Sequence, residues 1–207
     1  MKALTLALFL SALTPGLAAA DTLFFDDFES NTAGPNRTPS GWSTTSGAVD
    51  ITGTGYFPDV CYNIDTCVDL DGSIGAAGTI QTQQSFTLVD GVKYTLSFDY
   101  SKNYFQQQNT NVMTFGVGGI SDTLSVPGGP RADDFAELSF SFMGDGSTGS
   151  IFFAHEGGDN GGIIIDNVKL VGGTASPSPV PLPASLPLLA GGLLGAAALR
   201  RRKSVKS

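Results

Sequence analysis

Apolar and polar residues alternate through much of this chain. Tyr94, Leu96, Phe98 and Tyr100 share one face of residues 94–100, and Ala136, Leu138, Phe140 and Phe142 share one face of residues 136–142. A repeat of two sends successive side chains to opposite faces of an extended strand, which leaves one face for a core and one for water. Further strands are predicted at Thr22–Phe28, Ala48–Thr52, Thr79–Leu88, Val112–Val117, Ile120–Val126, Ser150–Ala154 and Ile163–Val171. No stretch between Asp21 and Gly173 sustains a 3.6-residue apolar period over three turns. Gly, Asp and Asn separate the strands, and Asp90-Gly91 and Asp145-Gly146 read as hairpin turns. With Phe as the main core residue, this spacing predicts an all-β sandwich.

The pattern changes at both ends. Lys2, the apolar run Ala3–Leu13 and the small residues Ala18, Ala19 and Ala20 have the order of a secretory signal peptide over residues 1–20. The sandwich then occupies 21–173, and a Pro/Ser linker follows at 174–179. Leu182 to Leu199 is an apolar stretch of 18 residues, about 27 Å as helix and just enough for a bilayer core. Arg200, Arg201, Arg202 and Lys203 form a membrane stop that stays cytoplasmic, so the sandwich is expected outside.

Charge divides the same way. The formal net charge is −8. All 19 acidic residues lie between Asp21 and Asp166, where the basic residues are Arg37, Lys93, Lys102, Arg131 and Lys169. Nineteen acids against five bases give the body −14, while every other cation sits in the two ends. Such a body excludes nucleic acid as a bulk electrostatic partner and favours cations and neutral glycans. One His and two Cys exclude a His-rich zinc centre or a Cys cluster.

Val180, Pro181, Leu182, Pro183 and Ala184, followed by a short apolar helix and an Arg-rich tail, resemble the VPLPA class of bacterial C-terminal sorting signals within the PEP-CTERM group. The resemblance implies processing by an exosortase-type membrane peptidase, hence a transient inner-membrane contact, and delivery to the cell surface or extracellular matrix. A permanent C-terminal anchor has the same physical pattern. Within the body, Asp27-Phe-Glu29, Val68-Asp-Leu-Asp-Gly72, Tyr94-Thr-Leu-Ser-Phe-Asp99 and Gly161-Gly-Ile-Ile-Ile-Asp-Asn-Val-Lys-Leu170 resemble, in that order, galactose-binding-like jelly rolls such as carbohydrate-binding modules. That likeness implies a structural Ca2+ where the first strand meets the last, with Glu29 and Asp166 in the matching positions. A solvated Asp at a strand end is the alternative. Asp69-Leu-Asp-Gly72 is not an EF-hand, since that register puts Cys67 first and Gly78 last.

Cys61 and Cys67 enclose a short segment and, in an exported chain, are expected to form a disulfide, with a reactive thiol pair as the alternative. Polysaccharide binding needs exposed aromatics beside amides and carboxylates. Trp42, Tyr56, Phe57, Tyr62, Tyr104 and Phe105 are the aromatics in predicted loops, with Asn103 and Gln106 beside the last pair; Trp42, Tyr62 and Tyr104 with those amides are the leading contacts, and core capping is the competing role for such rings. His155, with Ser150, Glu156 and Asp159 near it in sequence, has no spacing that implies a catalytic triad, and it is expected at a strand end. The leading expectation is a non-enzymatic polysaccharide-binding surface or matrix protein. The alternatives are an acidic adhesive matrix component acting through Ca2+ and, behind both, a secreted hydrolase.

Overall fold

In a computed structural model the described residues are 20–61, 66–102, 110–127 and 135–173. Residues 1–19 of the expected signal peptide, the expected sorting motif Val180–Ala184, the apolar stretch and the expected stop Arg200–Lys203 lie outside them, as do Tyr62, Asn103, Tyr104 and Gln106.

In chain order the first half holds β1 (Ala20–Asp26), β2 (Trp42–Ser46), β3 (Asp50–Gly53), a 3-10 turn at Pro58–Val60, β4 (Thr66–Asp69), β5 (Asp71–Gly72), β6 (Ala76–Ala77), β7 (Thr79–Thr82) and β8 (Phe86–Thr87). The second half holds β9 (Lys93–Lys102), β10 (Asn111–Val117), β11 (Ile120–Val126), β12 (Ala136–Met143), β13 (Thr148–Gly149), β14 (Ile151–Glu156) and β15 (Ile163–Gly173). Eleven of them form two antiparallel sheets packed as a jelly-roll sandwich, and β5-β6 and β8-β13 are separate two-stranded pairs. One sheet runs β12-β9-β15-β4-β3, with β1 also on β15; the other runs β11-β10-β14-β7-β2.

The alternating residues fill the space between the sheets. Tyr94, Leu96 and Phe98 of β9, Met113 and Phe115 of β10, and Ile151 and Phe153 of β14 are buried. Phe98 meets Phe115 and Phe153 edge-on, each at 5.0 Å between ring centroids. Such edge-to-face pairs let the positive rim of one ring face the negative face of another.

Two turns differ from expectation. Asp90-Gly91 and Asp145-Gly146 do form turns, but the strands beside each do not pair with one another: β8 pairs β13, and β9 pairs β12. The two turns pack together instead, Gly91 N–H donating to the Gly144 carbonyl (3.0 Å) and Gly146 N–H to that of Leu88 (2.7 Å). Both therefore carry the chain from one pair of strands to another. A two-residue signal fixes a reversal, not the partner beyond it.

Cys61 and Cys67 are disulfide-bonded, with Cα atoms 5.7 Å apart. Both are buried with Val60 and Ile164 in a small second core, and the Thr52 hydroxyl lies 3.0 and 3.1 Å from the two sulfurs. In the chain-entropy account a loop this short contributes about 2 kcal/mol. The C61A/C67A double variant should therefore lose about 2 kcal/mol in urea unfolding relative to the oxidised protein. A loss below about 0.5 kcal/mol would show that the bond constrains little.

Candidate functional site

Two clusters of polar side chains stand out, both at β15. The first lies where β1 and β4 share one edge of that strand. β4 pairs with Ile164 and Ile165, and β1 takes over from Val168 onward. Between them the β9 ladder shifts register from Asp166 to Lys169, and Asn167 has φ 49°, so the strand bulges. The bulge turns Asp166 into the junction, where it is 2% exposed. Its Oδ2 accepts from Asn167 Nδ2 (3.2 Å), whereas its Oδ1 has no hydrogen-bond partner among the described residues. Burial above all, then the charges of Asp99, Glu29 and Asp27, push the Asp166 carboxyl up to about 7 against the backbone N–H of Asn167.

Glu29 is exposed at the surface of this junction, and its Oε1 accepts the N–H of Thr66, the first residue of β4 (3.0 Å). Glu29 is thus one of the charges that act on the Asp166 carboxyl. No three His, Cys, Asp or Glu side chains among the described residues form a metal-holding group.

The second cluster is a pocket of about 350 Å³ at the end of the sandwich where β15 begins, lined by Asp50, Thr52, Phe57, Val60, Asp69, Ser73, Asp159 and Asn160. Its walls are built on buried aspartates that organise loop backbone. Asp50 Oδ1 accepts the N–H groups of Asn36 (2.7 Å) and Ser73 (3.1 Å), while Oδ2 accepts the Tyr56 hydroxyl (3.1 Å) and that of Ser73. Asp69 Oδ1 accepts from Asp71 N–H (3.0 Å) and Gly162 N–H (2.9 Å). Asp71 Oδ2 accepts from Gly158 (2.8 Å) and Asp159 (2.9 Å). Only glycine fits at 162, where a Cβ would lie 2.5 Å from Asp71 N and 2.6 Å from Asp69 Oδ1.

Over this frame sits an aromatic pair. Phe57 is 44% exposed, and its ring meets that of Tyr56 at 4.6 Å. Phe57 has φ 48° and Asn160 φ 66°, left-handed conformations that cost free energy in residues other than glycine. Burial raises the Tyr56 pKa, so the phenol remains a donor to Asp50.

His155 lies behind the pocket, next to last in β14 and buried. Neither ring nitrogen has a hydrogen-bond partner among the described residues, and neither does Asp71 Oδ1. Desolvation lowers the His155 pKa against the opposing pull of Asp71, Asp159 and Glu156, so the ring is neutral at neutral pH. Buried in this way, the imidazole does not face solvent.

One expected site residue is corrected. Trp42 was expected as a ligand contact; it is 1% exposed, packed between the sheets, and its Nε1–H donates to Asp26 Oδ2 (2.7 Å). It belongs to the core because β2 closes one sheet edge and turns this ring inward. Asp50, Tyr56, Phe57, Asp69, Asp159 and Asn160 were not anticipated as one site. Their signals were the loop pair Tyr56-Phe57 and the Asp-x-Asp spacing of 69 and 71, neither of which announces the other.

No protein-family model and no curated protein sequence matches this chain. Similar solved structures include the CBM22-1 xylan-binding domain of Paenibacillus barcinonensis Xyn10C, at 17% identity over 77% of this chain and 99% of that one, with a TM-score of 0.45. Another is TmCBM61 in complex with β-1,4-galactotriose, at 18% identity over 63% and 88% of the two chains, TM-score 0.42. An arabinose-bound MgGH51 α-L-arabinofuranosidase is similar at 14% identity and TM-score 0.51 over 76% of this chain, which spans 27% of that enzyme. At these identities the shared property is the β-sandwich fold.

Proposed function

We propose that residues 21–173 are a non-catalytic polysaccharide-binding module of an exported protein of the cell surface or extracellular matrix. The pocket at the start of β15 carries this reading. Phe57 lines it with a ring that Tyr56 meets edge-on, and Ser73, Asn160 and Asp159 offer hydroxyl, amide and carboxylate groups beside it. Pyranose rings present an apolar C–H face to stack on an aromatic and hydroxyls for such partners. Asp50, Asp69 and Asp71 each hold two backbone N–H groups on one oxygen, which suits walls better than an acid–base pair.

Placement of the chain ends supports surface display. Ala20 pairs with Gly173 at one end of β15, while Asp69 of the pocket pairs with Ile164 at the other. Nine residues of strand separate them, about 30 Å. A sandwich tethered through either end presents the pocket away from its attachment. In this reading a leader exports the chain and an exosortase-type peptidase processes it at the VPLPA motif.

Ca2+ at the Glu29–Asp166 junction completes the reading. The buried, unpartnered Asp166 Oδ1 and the crowding of Asp99, Glu29 and Asp27 suit a hard divalent cation, which would take its remaining oxygens from backbone and water. The same observation favours the second reading, an acidic adhesive matrix protein that acts through Ca2+ without a sugar pocket. A glycan array on the full-length protein separates them. The first reading expects polysaccharide binding that weakens about tenfold in the F57A variant. Binding to no neutral or charged glycan would leave the second.

A further inference from the structure

The sheet that holds β1 and β15 turns its second face outward. In its antiparallel ladders Phe25 of β1 stands opposite Lys169 of β15, Lys169 opposite Ser97 of β9, and Ser97 opposite Ser139 of β12. Residues directly opposite one another share a face. The flanking Leu96, Phe98, Val168 and Leu170 are buried on the inner side, so these four point outward. They form a row across four strands, about 14 Å long at the usual strand spacing. Phe25, 54% exposed, stands at one end of it. A groove of about 270 Å³ lies on this face, and its lining includes Phe25, Ser97 and Lys169 together with Asp99, Glu137 and Asn167.

One part of this lining works against the fold. Glu137 lies directly opposite Asp99 across the β9–β12 ladder, and like charges so placed destabilise a sheet. Asn167 Nδ2 donates to Asp99 Oδ2 (2.9 Å), which satisfies one of the two carboxylates, while Glu137 Oε1 accepts a long bond from the Ser139 hydroxyl (3.4 Å). A ligand that donates to Glu137 would relieve the opposition.

The charges also select that ligand. Lys169 can only donate hydrogen bonds, and an ionised Glu137 can only accept them. A cation would meet Lys169, and an anion would meet Asp99 and Glu137. Hydroxyl groups serve both, donating to the carboxylate and accepting from the ammonium, and they add no charge of their own. The Phe25 ring offers a surface for an apolar C–H face. The volume lies below the range of pockets that enclose a small molecule, so an occupant lies along the face. We infer that this outer face is a second contact surface for an uncharged polysaccharide chain, laid across β1, β15, β9 and β12. The inference rests on the polysaccharide-binding reading for its ligand class, and it does not use the pocket at the start of β15.

The test is isothermal titration of the full-length protein with linear, neutral β-linked oligosaccharides of glucose, mannose and galactose. The wild type is expected to bind at least one of them, and F25A to bind it about tenfold more weakly. F25W keeps an aromatic face and should retain the affinity. E137Q removes the opposed charge, so it should gain stability in urea while binding more weakly. Equal binding by F25A and the wild type overturns the second surface and leaves the polysaccharide reading standing. Equal loss in F25A and F25W, or loss in E137Q that accompanies lower stability, is a structural effect and also overturns it. Failure of every oligosaccharide to bind the wild type removes the polysaccharide reading together with this inference.

Discussion

At about pH 8 and without divalent ions, the D166N variant is expected to be more stable than the wild type, by up to about 4 kcal/mol. The sign follows from linkage. The Asp166 carboxyl rises from 3.8 to about 7 in the folded protein, so between those values the folded state binds more protons than the unfolded one. Stability from this group is fully present below about pH 4 and falls as pH rises through about 7. Slightly more than three units at about 1.36 kcal/mol each set the upper limit. The asparagine amide has the shape of the neutral acid and titrates nowhere, so it escapes the loss. The difference between variant and wild type should vanish near pH 4 in urea unfolding. A difference that does not change with pH would mean that Asp166 is not strained by its charge. If Ca2+ is held there, the wild type regains the deficit at pH 8 when Ca2+ is added, and D166N does not. An identical wild-type melting curve with Ca2+ and with chelator would count against the metal.

The strands that alternate were legible because alternation is itself the physical consequence of a sheet with one buried face. β11 begins and ends where expected, β12 and β15 begin where expected and run one and two residues further, and β9 starts one residue earlier and ends two later. Of the strands that were not expected, β2 and β4 were hidden for identifiable reasons. Trp42-Ser-Thr-Thr-Ser46 has one large ring among small polar residues and reads as loop, yet β2 is pinned by that ring. Thr66-Cys-Val-Asp69 is buried at all four positions, so it has no alternation to find. Its polar ends are accommodated by loop contacts far away in sequence, including Asp69 to Gly162.

The site was legible in unequal parts. The charge of Glu29 acts on Asp166 only because β1 pairs with β15, a long-range event that no local pattern reports. The pocket draws residues from positions 50 to 160, each of which looks locally like an ordinary turn or strand end. What assembles them is the set of backbone N–H groups that Asp50, Asp69 and Asp71 collect. Those bonds exist only once three loops have met at the end of the sandwich. Aspartates can be counted in a sequence, but their hydrogen-bond debt is visible only in the fold.

Replacing Trp42 by Ala is expected to cost about 3–5 kcal/mol, the range for removing a large buried aromatic. Trp42 is the point where several pieces join. Its ring meets Phe24 and Phe28 at 5.8 Å and Phe153 at 5.9 Å, which links β1 of the opposite sheet, the turn after it and β14 of its own sheet. Its Nε1–H holds Asp26 Oδ2, while Asp26 Oδ1 accepts the N–H of Phe28, a residue at φ 56°. A Phe at position 42 keeps most of the apolar contact and removes the donor. W42F should therefore isolate the bond to a carboxylate, on the order of 1.5–3 kcal/mol. Both variants are measured by urea unfolding, and the shortfall of W42F relative to W42A gives the packing share. Glycan affinity of the folded W42F protein should equal that of the wild type, because the ring is between the sheets and not at a surface. Unchanged stability with lost glycan binding would return Trp42 to a ligand site and contradict its burial. The Asp26 tether ends three residues before Glu29, so W42F should also weaken any stabilisation by Ca2+. Trp42 and the Asp166 junction are then joined through Asp26, where β1 ends opposite Val168 of β15.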